Sequence, residues 1–251
     1  IFIARESGIP LHLTHHQVVF DCNKDNDAWY TAILDECRAE GLDVTCDSYP
    51  YVAGCTYLIG TFPSWAQNEG RLAVCQMLRD PAINARLRHE MEVVGCDGAH
   101  GVPKVWEREH VSSVKQPTWS WCVGRPIAES ARERGVSPGE LVTALLAEND
   151  GEVNIVAFHG HEHAVQRIMQ HPTHLVGSDG ILTGANPHPR VYGTFPRYLG
   201  RYVRELGVLS WETAIRKMTG GSAARLGLVD LGLIKVGMWA DLVVFDPETV
   251  A

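Results

Sequence analysis

The 251-residue sequence has no C-x-x-C pair, no surplus of basic charge and no basic-then-apolar segment over its first residues. It also has no apolar run approaching the roughly 18 to 20 residues of a bilayer span. Each absence closes a class. The seven cysteines, at 22, 37, 46, 55, 75, 96 and 122, are odd in number and lack paired spacing, so reduced thiols in a cytoplasmic setting are expected rather than a disulfide framework. Lys and Arg total 22 against 30 Asp and Glu, and the net charge of −8 argues against a nucleic-acid backbone or an anionic membrane as partner. There are no internal repeats or low-complexity tracts. An initiator Met is missing too: Ile1 stands in what reads as the end of a helix running into Gly8 and Pro10, so the sequence is expected to be a later portion of a longer protein.

What remains is an ordinary globular composition, 45% hydrophobic, enough for one large domain or two small ones. Residues 8–14 lead from a helix end into a short alternating strand that stops at Thr14-His15-His16-Gln17. Apolar residues at helical spacing predict a helix over 25–40, ended by Gly41, and strand character resumes over 42–47. This is a β-α-β unit, and alternation of this kind usually builds a parallel sheet. Residues 59–125 break the rhythm, with helical pieces at 71–79 and 81–91 between Gly- and Pro-bearing stretches, and read as an insertion or lid. Regularity returns with helices over 140–146 and 162–170 and strands over 153–158 and 174–179. Two further helices are predicted near 198–206 and 211–218, followed by a hairpin pair of strands at 232–237 and 240–246.

In a parallel α/β barrel, chemistry gathers at the C-terminal ends of strands, where loops vary while strands fix position. Three such ends deliver His15 with His16, Asp47 with Tyr49, and Asp179. Imidazole and carboxylate from neighbouring strand tips suit a zinc-like ion, which lowers the pKa of bound water to about 7 and polarises a carbonyl. The bland alternatives are a structural His pair and an Asp that only caps a helix. His16 is expected to be a packing residue, because adjacent side chains on an extended segment point opposite ways. The run His159, His161, His163 invites a metal assignment but leads from a strand into a helix.

Four stretches sharpen this: Thr14-His15-His16-Gln17, the run D-S-Y-P-Y-V-A-G-C-T over 47–56, Gly177-Ser178-Asp179-Gly180, and P-H-P-R-V-Y-G-T-F-P over 187–196. Together they resemble the N-acyl-D-amino-acid deacylases of the amidohydrolase superfamily. The Y-P-Y-x-A-G and H-P-R-x-Y-G-T-F-P runs are the specific ones; S-D-G alone is not. Residues 123–129 resemble that family's linker back into its barrel, and 232–246 the returning strands of its β-sandwich.

The resemblance implies an α/β fold containing the later strands of a (β/α)8 TIM-type barrel, here incomplete. Residues 1–58 and 126–226 would belong to the barrel, 59–125 to a lid, and 227–251 to β-sandwich return strands. It implies zinc, one or two ions, with most ligands upstream of this chain. His15 would be a zinc ligand, and Asp179 both a metal contact and the general base. Arg190 and Tyr49 would hold a substrate carboxylate, beside Cys55 and Gln17. Gln17 stands where the family usually has lysine, and Cys55 where it has serine. The former removes a positive charge near the substrate, and the latter weakens a hydrogen-bond donor. His159, His161 and His163 match no ligand position of the family, and His188 reads as a rigid loop element near the site. The implied reaction is hydrolysis of N-acyl-D-amino acids, small-molecule substrates, to a carboxylate and a D-amino acid. The alternatives are a dihydroorotase- or hydantoinase-like cyclic amidase, or a non-catalytic fragment of the family. The 251 residues alone are expected to be inactive.

Overall fold

The computed structural model describes residues 1–184 and 186–251. Two separate three-stranded sheets organise them. The first is parallel, in the order β1 (Leu11–Leu13), β2 (Val44–Ser48), β6 (His174–Val176). Leu11 to Leu13 align with Val44 to Cys46, and Cys46 to Ser48 with His174 to Val176. The helix Asp27–Ala39 connects β1 to β2 and lays Leu34 and Cys37 on Val44 and Cys46, with Leu11 and Leu13 alongside. That apolar face is covered, as the helical spacing predicts. The opposite face carries His12, Thr45 and Asp47, all partly exposed.

The second sheet is antiparallel, with β5 (Val153–Ala157) between β3 (Gly54–Tyr57) and β4 (Glu109–Val114). The strand expected at 153–158 thus forms, but belongs to the intervening segment rather than to the parallel set. A short apolar run does not declare its partners, and here 54–57 and 109–114 supply them. The antiparallel sheet therefore draws its strands from 54–57, 109–114 and 153–157. The helices between these strands include Arg71–Met77, Pro81–His89, Ile127–Arg134 and Pro138–Glu148. Asp80 caps the second of these, and Ser137 and Glu140 cap the last reciprocally. These elements enclose a core of their own, in which Leu58, Phe62, Val111, Ile127, Val142, Leu145, Leu146 and Ile155 are fully buried.

After β5, helix Glu162–Gln170 returns the chain to β6. The helix Arg190–Arg197 runs directly into a π-wound stretch, Tyr198–Glu205, so the expected helix at 198–206 begins a full eight residues earlier. Tyr198, Tyr202, Val165, Met169 and Val176 form the core beneath it. Trp211–Met218 forms as expected, followed by Gly220–Arg225. The predicted hairpin at 232–246 does not form. Those residues adopt no strand, and Ile234, Val236 and Val244 stand more than nine-tenths exposed. A strand's backbone groups need a neighbouring ladder, and none adjoins this segment. Among the described residues no helix is long and apolar enough to cross a membrane.

Candidate active site

Beyond the tip of β6, Asp179 sits in a left-handed conformation (φ 46°), which Asp tolerates better than most residues. One carboxylate oxygen, Oδ2, accepts from Nη1 of Arg190 at 2.9 Å while the side chain stays 41% exposed. Arg190 itself is buried. Its Nη2 donates to the Cys55 carbonyl at 3.1 Å, and its guanidinium carbon lies 4.4 Å from the centroid of the Tyr49 ring. Among the described residues its Nε has no hydrogen-bond partner. The buried guanidinium thus pairs with one half-open carboxylate and keeps one donor unpaired among the described residues.

Tyr49 follows β2 into the Y-P-Y turn. Burial pushes its phenol above the usual range, against the opposing pull of the Arg190 charge. Gly54 leaves room for it, since a Cβ there would lie 3.0 Å from the phenolic oxygen. His188 is buried, and its Nδ1 accepts the Arg190 amide at 3.0 Å. Burial, with the adjacent Arg190 charge, pushes this imidazole down to about 4, so it is neutral at pH 7. The Tyr51 ring meets it edge-on at 5.1 Å. Burial also raises the Cys55 thiol, and the contact this residue makes with Arg190 is through its carbonyl. Gln17 joins through the backbone, its Nε2 donating to the Tyr49 carbonyl at 3.3 Å.

The structure therefore brings Tyr49, Cys55, Asp179 and Arg190 together, with Gln17 at the edge. His15 lies at the tip of β1, exposed and at φ 39°, and its amide donates to Asp47 Oδ1 at 2.8 Å. His16 turns inward: its ring is 5.2 Å from Tyr30, and its Nε2 is buried without a partner among the described residues. Burial lowers its pKa. The run His159, His161, His163 disperses. His161 and His163 donate to the carbonyls of Phe20 and Lys24, while His159 stacks on Phe20 at 4.3 Å.

His159 also lies 3.4 Å from Glu109, which pairs with Lys104 at 2.9 Å, both side chains 1% exposed. Burial alone would raise the Glu109 carboxyl, but His159 and Lys104 together hold it below its usual range. This buried triad went unread in the sequence because Glu109 and Lys104 look like surface charges there. His and Asp are donors that zinc accepts. Yet among the described residues no group of three or more His, Cys, Asp and Glu side chains converges to hold a metal.

The chain matches the Amidohydrolase family over residues 3–251. It is 34% identical over 248 residues to the N-acyl-D-glutamate deacylase of Alcaligenes xylosoxydans xylosoxydans, covering 99% of this chain and 41% of that protein. With the D-aminoacylase of the same organism the identity is 32% over 255 residues, covering 99% and 42%. Among solved structures, the N-acyl-D-glutamate deacylase from Bordetella bronchiseptica, complexed with zinc and a phosphonate inhibitor, superposes with TM-score 0.76 at 29% identity. That match covers 100% of this chain and 43% of the other. A D-aminoacylase with a binuclear metal centre gives 0.72 at 33% identity, covering 98% and 42%.

The α/β fold is thus the one seen in D-aminoacylase structures. The protein belongs to the amidohydrolase family, as its four motif stretches lead one to expect, and the chain spans about two-fifths of the length of these relatives.

Proposed function

We propose that this chain carries the later part of a metal-dependent hydrolase of N-acyl-D-amino acids. The observation that carries the reading is the buried Arg190, set between Tyr49 and Asp179 with one donor unused. Arg190 would bind the substrate carboxylate once the site opens to its guanidinium, with the Tyr49 ring supporting it and Cys55 and Gln17 lining the approach. Asp179 would take a proton from the attacking water and deliver it to the leaving nitrogen as the amide C–N bond breaks, giving a carboxylate and a free D-amino acid. Zinc, when bound, would supply an acidified water and polarise the amide carbonyl. His15 and Asp179 are this chain's candidate ligands, and the remaining donors would have to come from residues outside these 251.

In this reading β1, β2 and β6 are later strands of a (β/α)8 barrel, the antiparallel unit is a lid, and residues 227–251, which form no strand here, would pair as return strands of a β-sandwich in the intact protein. The parallel pairing of the three strands and the exposed apolar side chains of the last segment support it. Seven free cysteines support a cytoplasmic location.

The test is kinetic, in the intact protein. With N-acetyl-D-methionine, Asp179→Asn lowers kcat by about 10² to 10⁴, whereas Arg190→Gln acts chiefly by raising KM. The 251 residues alone give no turnover. Preference of the intact protein for a cyclic amide, full activity of Asp179→Asn, or turnover by the isolated chain would each overturn the corresponding part.

A further inference from the structure

The open face of the parallel sheet holds a polar chain that the reaction above does not use. His12 on β1 places Nδ1 2.7 Å from Thr45 Oγ1 and Nε2 2.9 Å from Asp47 Oδ2. The other oxygen of Asp47 accepts the His15 amide at 2.8 Å, and the Asp47 carbonyl accepts the His16 amide at 2.7 Å. The tip of β1 is therefore held by Asp47 twice, at the point where His15 takes a positive φ that side-chain-bearing residues seldom adopt.

On the other flank stands β6. A Cβ at Gly177 would come 2.8 Å from the Asp47 carboxyl carbon and 3.0 Å from each oxygen. The carboxylate is held by hydrogen bonds to the His15 amide and to His12, so retreat from a new Cβ would break at least one of them. Gly177 shows no positive φ, so the backbone does not demand glycine there; the close approach of Asp47 does. Gly177 is two residues before Asp179.

We infer that Asp47 is a positioning residue, wedged between the tips of β1 and β6, that sets the presentation of His15, and that Gly177 lacks a side chain to admit its carboxylate. The inference rests on the proposed metal role of His15, but its geometric half stands apart from that role.

The test is a double-mutant cycle in the intact protein, read by zinc affinity in chelator competition and by thermal midpoint. Asp47→Ala weakens zinc binding about 10- to 100-fold, in line with other groups that orient metal ligands. Asp47→Asn, which keeps an acceptor for the His15 amide, restores most of that loss. Gly177→Ala alone lowers both readouts, yet adds nothing in the Asp47→Ala background, where the obstructing carboxylate is gone. Full additivity of the two changes would overturn the wedge, and so would Asp47→Asn as damaging as Asp47→Ala. Should Gly177→Ala fail to fold, the double variant decides: it folds like Asp47→Ala if the wedge is real and fails otherwise. His15→Ala separates the two readings. If it leaves zinc affinity unchanged, the metal role of His15 falls, while the coupling in thermal midpoint still judges Asp47 and Gly177.

Discussion

The two sheets are built on opposite plans. The antiparallel one packs one side into a large apolar core with its own helices, where Lys104 and Glu109 are buried and paired, while β3 runs out to the surface at Thr56 and Tyr57. The parallel one has an apolar face under helix Asp27–Ala39 and, on the reverse, a half-open polar face of His12, Thr45 and Asp47 beside a cleft of about 240 Å³. The candidate site lies where the two meet, since Arg190 reaches the β3 carbonyl of Cys55 while holding Asp179 beyond β6.

This contrast can be broken experimentally. The largest effect is expected from Glu109→Gln, which leaves the Lys104 ammonium buried without its carboxylate and should cost about 3–5 kcal/mol in urea unfolding. A cost below about 1 kcal/mol, the range of an exposed pair, would show that the interior of the antiparallel unit is wetter than its packing says.

A second probe sharpens the comparison on the side of the site. His188 has a folded pKa of about 4 against an ordinary 6.5, so it stays neutral in the native state while the unfolded chain takes up a proton first. Its contribution to stability is complete above about pH 6.5, falls away as the pH drops toward 4 and changes no further below that. The total is about 3 kcal/mol, at 1.36 kcal/mol for each pKa unit. Comparing urea unfolding of the wild type and His188→Gln at pH 7.5 and 4.5 isolates it, and equal pH slopes would remove His188 from the buried site. The smallest effect is expected at the exposed end of the chain. Val243→Ser, at a position 86% exposed, should change stability by less than about 0.5 kcal/mol; a larger loss would mean that this segment is packed in solution.

The parallel half of the fold was legible in the sequence because its signals are local. Periodicity marked helix Asp27–Ala39 and helix Glu162–Gln170 closely, β1 and β6 fell inside their predicted runs, and β2 passed the end of its run by one residue. The antiparallel sheet was not legible. Its strands β3 and β4 are separated by some fifty residues, and β4 opens on a buried glutamate that looks like a surface residue until Lys104 and His159 are seen around it. The hairpin expected over 232–246 had the right alternation but no partner to complete it. In the candidate site the motif runs gave the residues that now cluster about Arg190. Gly177 stood in the motif beside Asp179, but its contribution could not be read there, because it is empty space measured against Asp47.

The register of the antiparallel sheet has a consequence for how such a protein can vary. Gly54 faces Ala157, so the chain leaves on an excursion of about a hundred residues and comes back to the adjoining position on the neighbouring strand. A detour whose two ends meet like this is a natural graft point. Its contents could be lengthened, trimmed or exchanged between proteins while the crossover from β2 through helix Glu162–Gln170 to β6 keeps its path, and with it the relation of Asp47 to Gly177.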